Sequence, residues 1–72
     1  MLEQLKKDWN EIGYHFSDYG TVIDLSNGDI CCDITIYKSN GSYRKTDLDG
    51  KETKIYPIEQ TLIDKTVKWL GF

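Results

Sequence analysis

The chain has 72 residues, enough for one domain with a thin hydrophobic core and little stability to spare. Nine basic and twelve acidic residues give a net charge of −3, so the clustered positive charge that binds nucleic acid non-specifically is missing. No apolar run approaches the roughly 20 residues that cross a bilayer, and the first residues lack the basic start and apolar middle of a secretory signal. We therefore expect a cytoplasmic protein with neither a membrane nor a nucleic-acid partner.

The first predicted element is an amphipathic helix from residue 2 to residue 12. Its apolar residues recur at spacings of three and four, which places them on one stripe: Leu2, Leu5, Trp9 and Ile12. Gly13 follows directly and fits a left-handed stop at the end of the helix. Residues 14–18 have no clear pattern, and we expect them to form a connector or a short extended segment.

Two strands, 19–26 and 29–38, are predicted on either side of Asn27-Gly28. Asparagine and glycine tolerate positive φ angles, which a two-residue hairpin turn requires. The second strand is the most regular in the chain, because apolar and polar residues alternate along its length. The sequence therefore predicts an antiparallel hairpin.

The register of this hairpin follows from its turn. Leu25 is expected opposite Ile30 and Ile23 opposite Cys32, which places apolar side chains against apolar side chains. Adjacent residues of a strand point to opposite faces, so Cys32 is expected in the core and Cys31 on the other face. The two sulfurs then cannot bind one metal ion. With one histidine and no second cysteine pair, neither a metal site nor a cofactor is expected.

A second turn at Asn40-Gly41 leads into a strand at 42–48, and a third at Asp49-Gly50 leads into a short strand at 53–56. Both strands are polar, as expected near a sheet edge.

The register of strand 42–48 has two versions. A strict two-residue turn places Lys45 opposite Ile36. A three-residue turn with a glycine bulge places Arg44 there and Leu48 on the core face. We prefer the bulged version.

A second amphipathic helix is predicted at 57–70, with Pro57 at its first position. Its apolar stripe consists of Ile58, Leu62, Ile63, Thr66, Trp69 and Leu70. Gly71 and Phe72 fit a Schellman motif at its end. The predicted fold is a single α+β domain, 1–72, in two layers: an N-terminal helix, a three- or four-stranded antiparallel meander and a C-terminal helix. Both helices are expected on the same face of the sheet.

The opposite face of the sheet is the predicted functional surface. Tyrosine and apolar groups with an acidic rim are typical of protein interfaces. The candidate partner-binding residues are Val22, Asp24, Cys31, Asp33, Tyr37 and Tyr43. The only histidine, His15, has no evident nucleophile or orienting partner, so we expect no enzymatic activity.

An alternative hypothesis is a homo-oligomer that binds or sequesters a small anionic ligand, such as a nucleotide, in pockets between subunits. Its candidate ligand-binding residues are Arg44, Lys45 and Lys54, which lie among tyrosines on the second half of the sheet. Three nearby acidic residues offset much of this positive charge. A DNA-binding or DNA-mimicking domain is a third, weaker alternative.

The order helix, antiparallel meander, helix, together with the closing stretch PIEQTLIDKTVKWLGF at 57–72, resembles small uncharacterised proteins of phages and prophages. Many of these have an α-β-β-β-α plan. The resemblance implies an accessory protein that binds or inhibits a host component, including proteins of host defence. It assigns no functional residue.

Overall fold

The computed structural model describes residues 1–72 and arranges them as two helices and one antiparallel sheet. The elements in chain order are α1 (Leu2–Glu11), β1 (His15–Asp18), β2 (Val22–Asn27), β3 (Cys32–Tyr37), β4 (Tyr43–Asp47) and α2 (Pro57–Trp69). The four strands lie side by side in the order β1-β2-β3-β4, so the sheet is a meander. The predicted α+β fold with flanking helices is confirmed.

Both helices pack on one face of the sheet, as predicted. Trp9 from α1 and Ile63 from α2 are completely buried against apolar residues of β2 and β3. The buried core cluster contains Trp9, Tyr14, Ile23, Leu25, Ile34, Ile36, Leu62 and Ile63. Fully burying one such side chain contributes roughly 1.5–3 kcal/mol, so this layer of contacts is a main source of stability. Neither helix is long and apolar enough to span a membrane.

One strand of the sheet was not predicted, and one predicted strand is absent. Residues 15–18, expected as a connector, form β1 and pair with β2, with Phe16 opposite Leu25. Residues 53–56, expected as a strand, contain no regular strand, and the only pairing nearby is an isolated bridge between Thr46 and Glu52. The fourth strand of the sheet is therefore β1, at the edge beside β2, and not residues 53–56 beside β4.

The predicted register of the β2–β3 hairpin is wrong by four residues. Leu25 lies opposite Ile34 and Ile23 opposite Ile36. Because the side-chain period of a strand is two, a shift by four leaves the side chains that remain in β2 and β3 on their predicted faces. Apolar residues of β2 therefore still lie opposite apolar residues of β3. Ile30, however, lies outside the sheet and is 49% exposed.

The cause of this shift is the side chain of Asn27. Its Oδ1 accepts hydrogen bonds from the backbone N–H groups of Asp29 and Ile30, at 3.0 and 3.4 Å. Its Nδ2 donates to the carbonyl of Ile12. The chain needs four residues, 28–31, to close around these bonds, and Cys31 adopts a positive φ of 54°. A compact four-residue loop thus replaces the two-residue turn.

The β3–β4 register also differs from the preferred prediction. Tyr43 lies opposite Ile36 and Lys45 opposite Ile34, so there is no bulge that would place Arg44 on the helix-covered face. Leu48, expected on the core face, is 83% exposed beyond the end of β4. The strict two-residue version predicted the correct face for Lys45. The observed turn is longer, however, and Lys45 pairs with Ile34 and not with Ile36.

Helix α2 ends as predicted. The N–H of Gly71 donates to the carbonyl of Lys68, and that of Phe72 to the carbonyl of Val67, which are the two bonds of a Schellman motif. Gly71 has the required positive φ, 104°. The predicted apolar stripe is wrong at its first position, because Ile58 is 56% exposed and the neighbouring Glu59 is buried instead.

Candidate functional site

The face of the sheet that points away from both helices is formed by side chains from all four strands. We call this surface the open face. The alternation along each strand and the observed registers place on it His15, Ser17, Val22, Asp24, Ser26, Asp33, Thr35, Tyr37, Arg44 and Thr46. His15 and Ser17 were not expected here, because β1 was not predicted as a strand.

The open face brings together four of the six predicted partner-binding residues: Val22, Asp24, Asp33 and Tyr37. Cys31 is not among them. It lies in the loop between β2 and β3, where its thiol donates to the carbonyl of Gly28. Its expected position on the open face is wrong because the four-residue loop removes it from the strand.

Tyr43 is also absent from the open face. It lies on the same side of the sheet as Ile36, its neighbour across β3 and β4. Its hydroxyl accepts a hydrogen bond from Nε2 of Gln60 in α2, at 3.0 Å. The prediction for Tyr43 is wrong because it assumed the other β4 register.

An acidic pair occupies the centre of the open face. Asp24 is opposite Thr35 and Asp33 is opposite Ser26, so the two aspartates are diagonal neighbours on adjacent strands. Such neighbours are roughly 7–8 Å apart. Partial burial and the charge of Asp33 raise the pKa of Asp24, and His15 only partly opposes this effect. Neither aspartate forms an ion pair within the chain.

One end of the open face is apolar. Val22 and Tyr37 lie directly opposite each other on β2 and β3, and both side chains are half-buried. Arg44 lies on β4 opposite Thr35 and makes no ion pair. The open face therefore combines an apolar cross-strand pair, two acidic groups without partners and one exposed cation near the edge.

The helix-covered face contains a buried polar cluster that the sequence analysis did not predict. Nζ of Lys45 lies 2.9 and 3.2 Å from the two carboxylate oxygens of Glu59 and donates to the carbonyl of Lys54 at 2.9 Å. The hydroxyl of Tyr14 donates to the second oxygen of Glu59, and the N–H of Tyr56 donates to the first. Lys45, Glu59 and Tyr14 are each less than 5% exposed.

The ionisation of this cluster follows from its hydrogen bonds. Burial alone would raise the pKa of Glu59, but donation from Tyr14 and Lys45 outweighs it and lowers that pKa. Burial, and then the hydrogen bond to Glu59, raise the pKa of Tyr14 well above its usual range. Glu59 is therefore the ionised acceptor, and Tyr14 and Lys45 are its donors. Every buried side-chain nitrogen and oxygen in the chain has a hydrogen-bond partner.

This arrangement does not assemble the anionic-ligand site that the sequence suggested. Lys45 is buried, and its ammonium is hydrogen-bonded to Glu59 and is not exposed to a ligand. Arg44 is adjacent in sequence and therefore points to the opposite face of the sheet. The ammonium groups of Lys45 and Lys54 both lie over the ring of Tyr56, at 4.9 and 5.4 Å from its centroid. Arg44 does not join them, so the three cations do not surround one site.

No group of three or more His, Cys, Asp or Glu side chains is placed to hold a metal ion. Both cysteines are free thiols. Compared with protein-family models, with curated protein sequences and with solved structures, the chain gives no significant match. A functional interpretation of this protein therefore depends on the chemistry of its own surfaces.

Proposed function

We propose that this protein is a non-enzymatic protein-binding module whose open face docks against a basic patch on a partner protein. The observation that carries the proposal is the acidic pair, Asp24 and Asp33, which forms no ion pair within the chain and lies on a face that no helix covers. A lysine or arginine from another protein would relieve the repulsion within the pair and form charge-assisted hydrogen bonds with it.

The apolar pair beside these acids supports the same interpretation. Val22 and Tyr37 provide a small patch that excludes water, and tyrosine is enriched among the residues that dominate binding energies. With strands about 4.8 Å apart and four to six residues long, the face measures roughly 15–20 Å on each side. This is at the low end of protein interfaces, so we expect a transient, salt-sensitive complex.

Charge also favours a different protein over a second copy of the same chain. In a two-fold symmetric dimer, the same surface patch is contributed by both subunits. The acidic pair of one subunit would then lie close to that of the other, and like charges across an interface are unfavourable. The net charge of −3 adds to this repulsion. The resemblance to phage accessory proteins supports a host protein, including one of host defence, as the partner we propose.

The test is affinity capture with a Val22→Lys/Tyr37→Lys variant. Wild-type protein is immobilised, partners are recovered from a lysate of the source organism, and each candidate is then purified and titrated in isolation. We expect the variant to lose the partner, because two lysines replace the apolar patch and repel a basic surface. A charge-matched control, Asn10→Lys/Thr61→Lys, adds the same two charges at exposed positions of α1 and α2 and should retain binding.

Two results would contradict the proposal. One is a Val22→Lys/Tyr37→Lys variant that keeps its native circular dichroism spectrum and still binds the partner with wild-type affinity. The other is sedimentation equilibrium showing that the wild type is a dimer that this variant dissociates, because the open face would then be occupied by a second copy.

A further inference from the structure

A groove opens between the two helices, away from the sheet. Its volume is about 540 Å³, within the range of small-molecule sites. The apolar part of its lining comes from Met1, from Leu5 of α1 and from Trp69 of α2. Leu5 is otherwise buried in the core, and Trp69 is partly exposed and packs edge-on against Phe16 at a centroid distance of 6.3 Å. A rigid aromatic ring therefore forms one wall.

The charged part of the lining is mainly cationic. Lys65 and Lys68 lie three residues apart on α2, which places them on the same side of the helix. Both are exposed, and neither is in an ion pair. The one acidic group of the groove, Asp8 on α1, accepts a hydrogen bond from Nε2 of Gln4 at 2.8 Å. The two lysines are thus available to an anion.

We infer that this groove binds a single-chain anionic amphiphile. The hydrocarbon chain would lie against the exposed side chain of Met1 and the partly exposed Trp69, above the buried Leu5. The carboxylate or phosphate head would contact the ammonium groups of Lys65 and Lys68. Burial of the chain supplies the affinity, and the two cations select for a negative head group. This inference does not depend on the proposed function of the open face.

The size of the groove favours such a ligand over a helix from a partner protein. A helix with its side chains is about 10–12 Å across, so a single turn already occupies roughly 420–610 Å³. The groove could therefore hold about one turn of a helix, which is too little for the anchors that helix-in-groove recognition uses over two turns. One acyl chain is much narrower than a helix.

The test is a titration of ¹⁵N-labelled protein with sodium decanoate below its micelle concentration, followed by NMR. We expect saturable shifts that concentrate at Leu5, Asp8, Lys65, Lys68 and Trp69, including the indole N–H of Trp69. A Lys65→Glu/Lys68→Glu variant should bind at least about tenfold more weakly, because two charge-assisted contacts become repulsive. The Lys65→Gln/Lys68→Gln variant provides the same comparison if charge reversal disturbs the fold.

The matched control is Lys6→Glu/Lys7→Glu, which reverses two exposed charges on the opposite side of α1 and should leave the affinity unchanged. Decyltrimethylammonium, which has the same chain with a cationic head, should bind more weakly than decanoate. Equal binding of both amphiphiles, shifts centred outside the groove, or an unaltered affinity of both lysine variants would overturn the inference. So would shifts in the groove with an acidic helical peptide but not with decanoate.

Discussion

Charged side chains have opposite environments on the two faces of the sheet. On the helix-covered face, the ammonium of Lys45 is 2.9 Å from Glu59, and both groups have further hydrogen-bond partners. On the open face, Asp24 and Asp33 lie side by side with no cation bound to either. The charged groups of the covered face are therefore paired within the fold, whereas Asp24, Asp33 and Arg44 on the open face form no ion pair.

This difference separates structural from functional polar groups. A buried charge without a partner is costly, so the presence of Lys45 and Glu59 in the core is explained once each has the other. No comparable structural reason explains the acidic pair, because neither carboxylate has an ion-pair partner and the pKa of Asp24 is raised by partial burial and by the charge of Asp33. Groups that reduce stability without a structural role are typical of surfaces that serve another purpose. The comparison therefore assigns Lys45 and Glu59 a structural role and supports the proposal that Asp24 and Asp33 serve binding.

The largest expected effect comes from breaking the buried pair on the covered face. Glu59→Leu leaves the ammonium of Lys45 buried without a counter-ion, and we expect a loss of about 3–5 kcal/mol in the free energy of unfolding. Urea denaturation measures this loss. The Lys45→Met/Glu59→Leu double variant should recover much of it, since neither charge remains. A loss below about 1 kcal/mol for the single variant would mean that the pair behaves as an exposed one.

An intermediate effect is expected at Asn27, whose side chain is 6% exposed. Asn27→Ala removes the partners of the Ile12 carbonyl and of two loop N–H groups, which should cost about 1–3 kcal/mol. Asn40→Ala is the matched control, because Asn40 makes the same kind of turn contact, to Ser42, on an exposed loop. Equal losses for the two variants, measured in the same urea series, would show that Asn27 does not fix the hairpin.

The Lys45–Glu59 pair and the side chain of Asn27 also show what the sequence could predict and what it could not. The period of the apolar residues in β2 and β3 determined which face of each strand is buried, and that assignment is correct. It could not determine the register, because pairing Leu25 with Ile30 or with Ile34 places apolar against apolar in either case. The choice depends on hydrogen bonds of the Asn27 side chain to residues in the loop and at the end of α1.

The buried pair was missed for a different reason. A lysine is normally expected on the surface, so the β4 register that buries Lys45 was not preferred. One signal could have identified it. Glu59 lies one helical turn before the buried Ile63 and follows Tyr56 by three residues, the spacing of a capping box. A buried lysine needs an acid, and Glu59 is the acid on the inner side of α2. On the open face, β1 was missed because Phe16 is the only aliphatic or aromatic side chain within its four residues.

The smallest expected effect is on the open face. Because the folded protein raises the pKa of Asp24, its ionised form reduces stability at neutral pH. Asp24→Asn should therefore raise the free energy of unfolding by up to about 0.5 kcal/mol at pH 7. The gain should disappear as the pH falls below the ordinary carboxyl value of about 4, where Asp24 is neutral in both states. Urea series at pH 7 and at low pH give the comparison, and a destabilised variant at pH 7 would contradict the repulsion.

The most direct test of the central claim is the affinity of an Asp24→Asn/Asp33→Asn variant for the partner captured by the wild type. The control, Asp29→Asn/Asp49→Asn, removes the same charge from two exposed loop residues. If the acidic pair serves binding, the variant should be at least as stable as the wild type. It should bind the partner at least about tenfold more weakly, while the control binds with wild-type affinity. Wild-type affinity of the Asp24→Asn/Asp33→Asn variant would contradict the account.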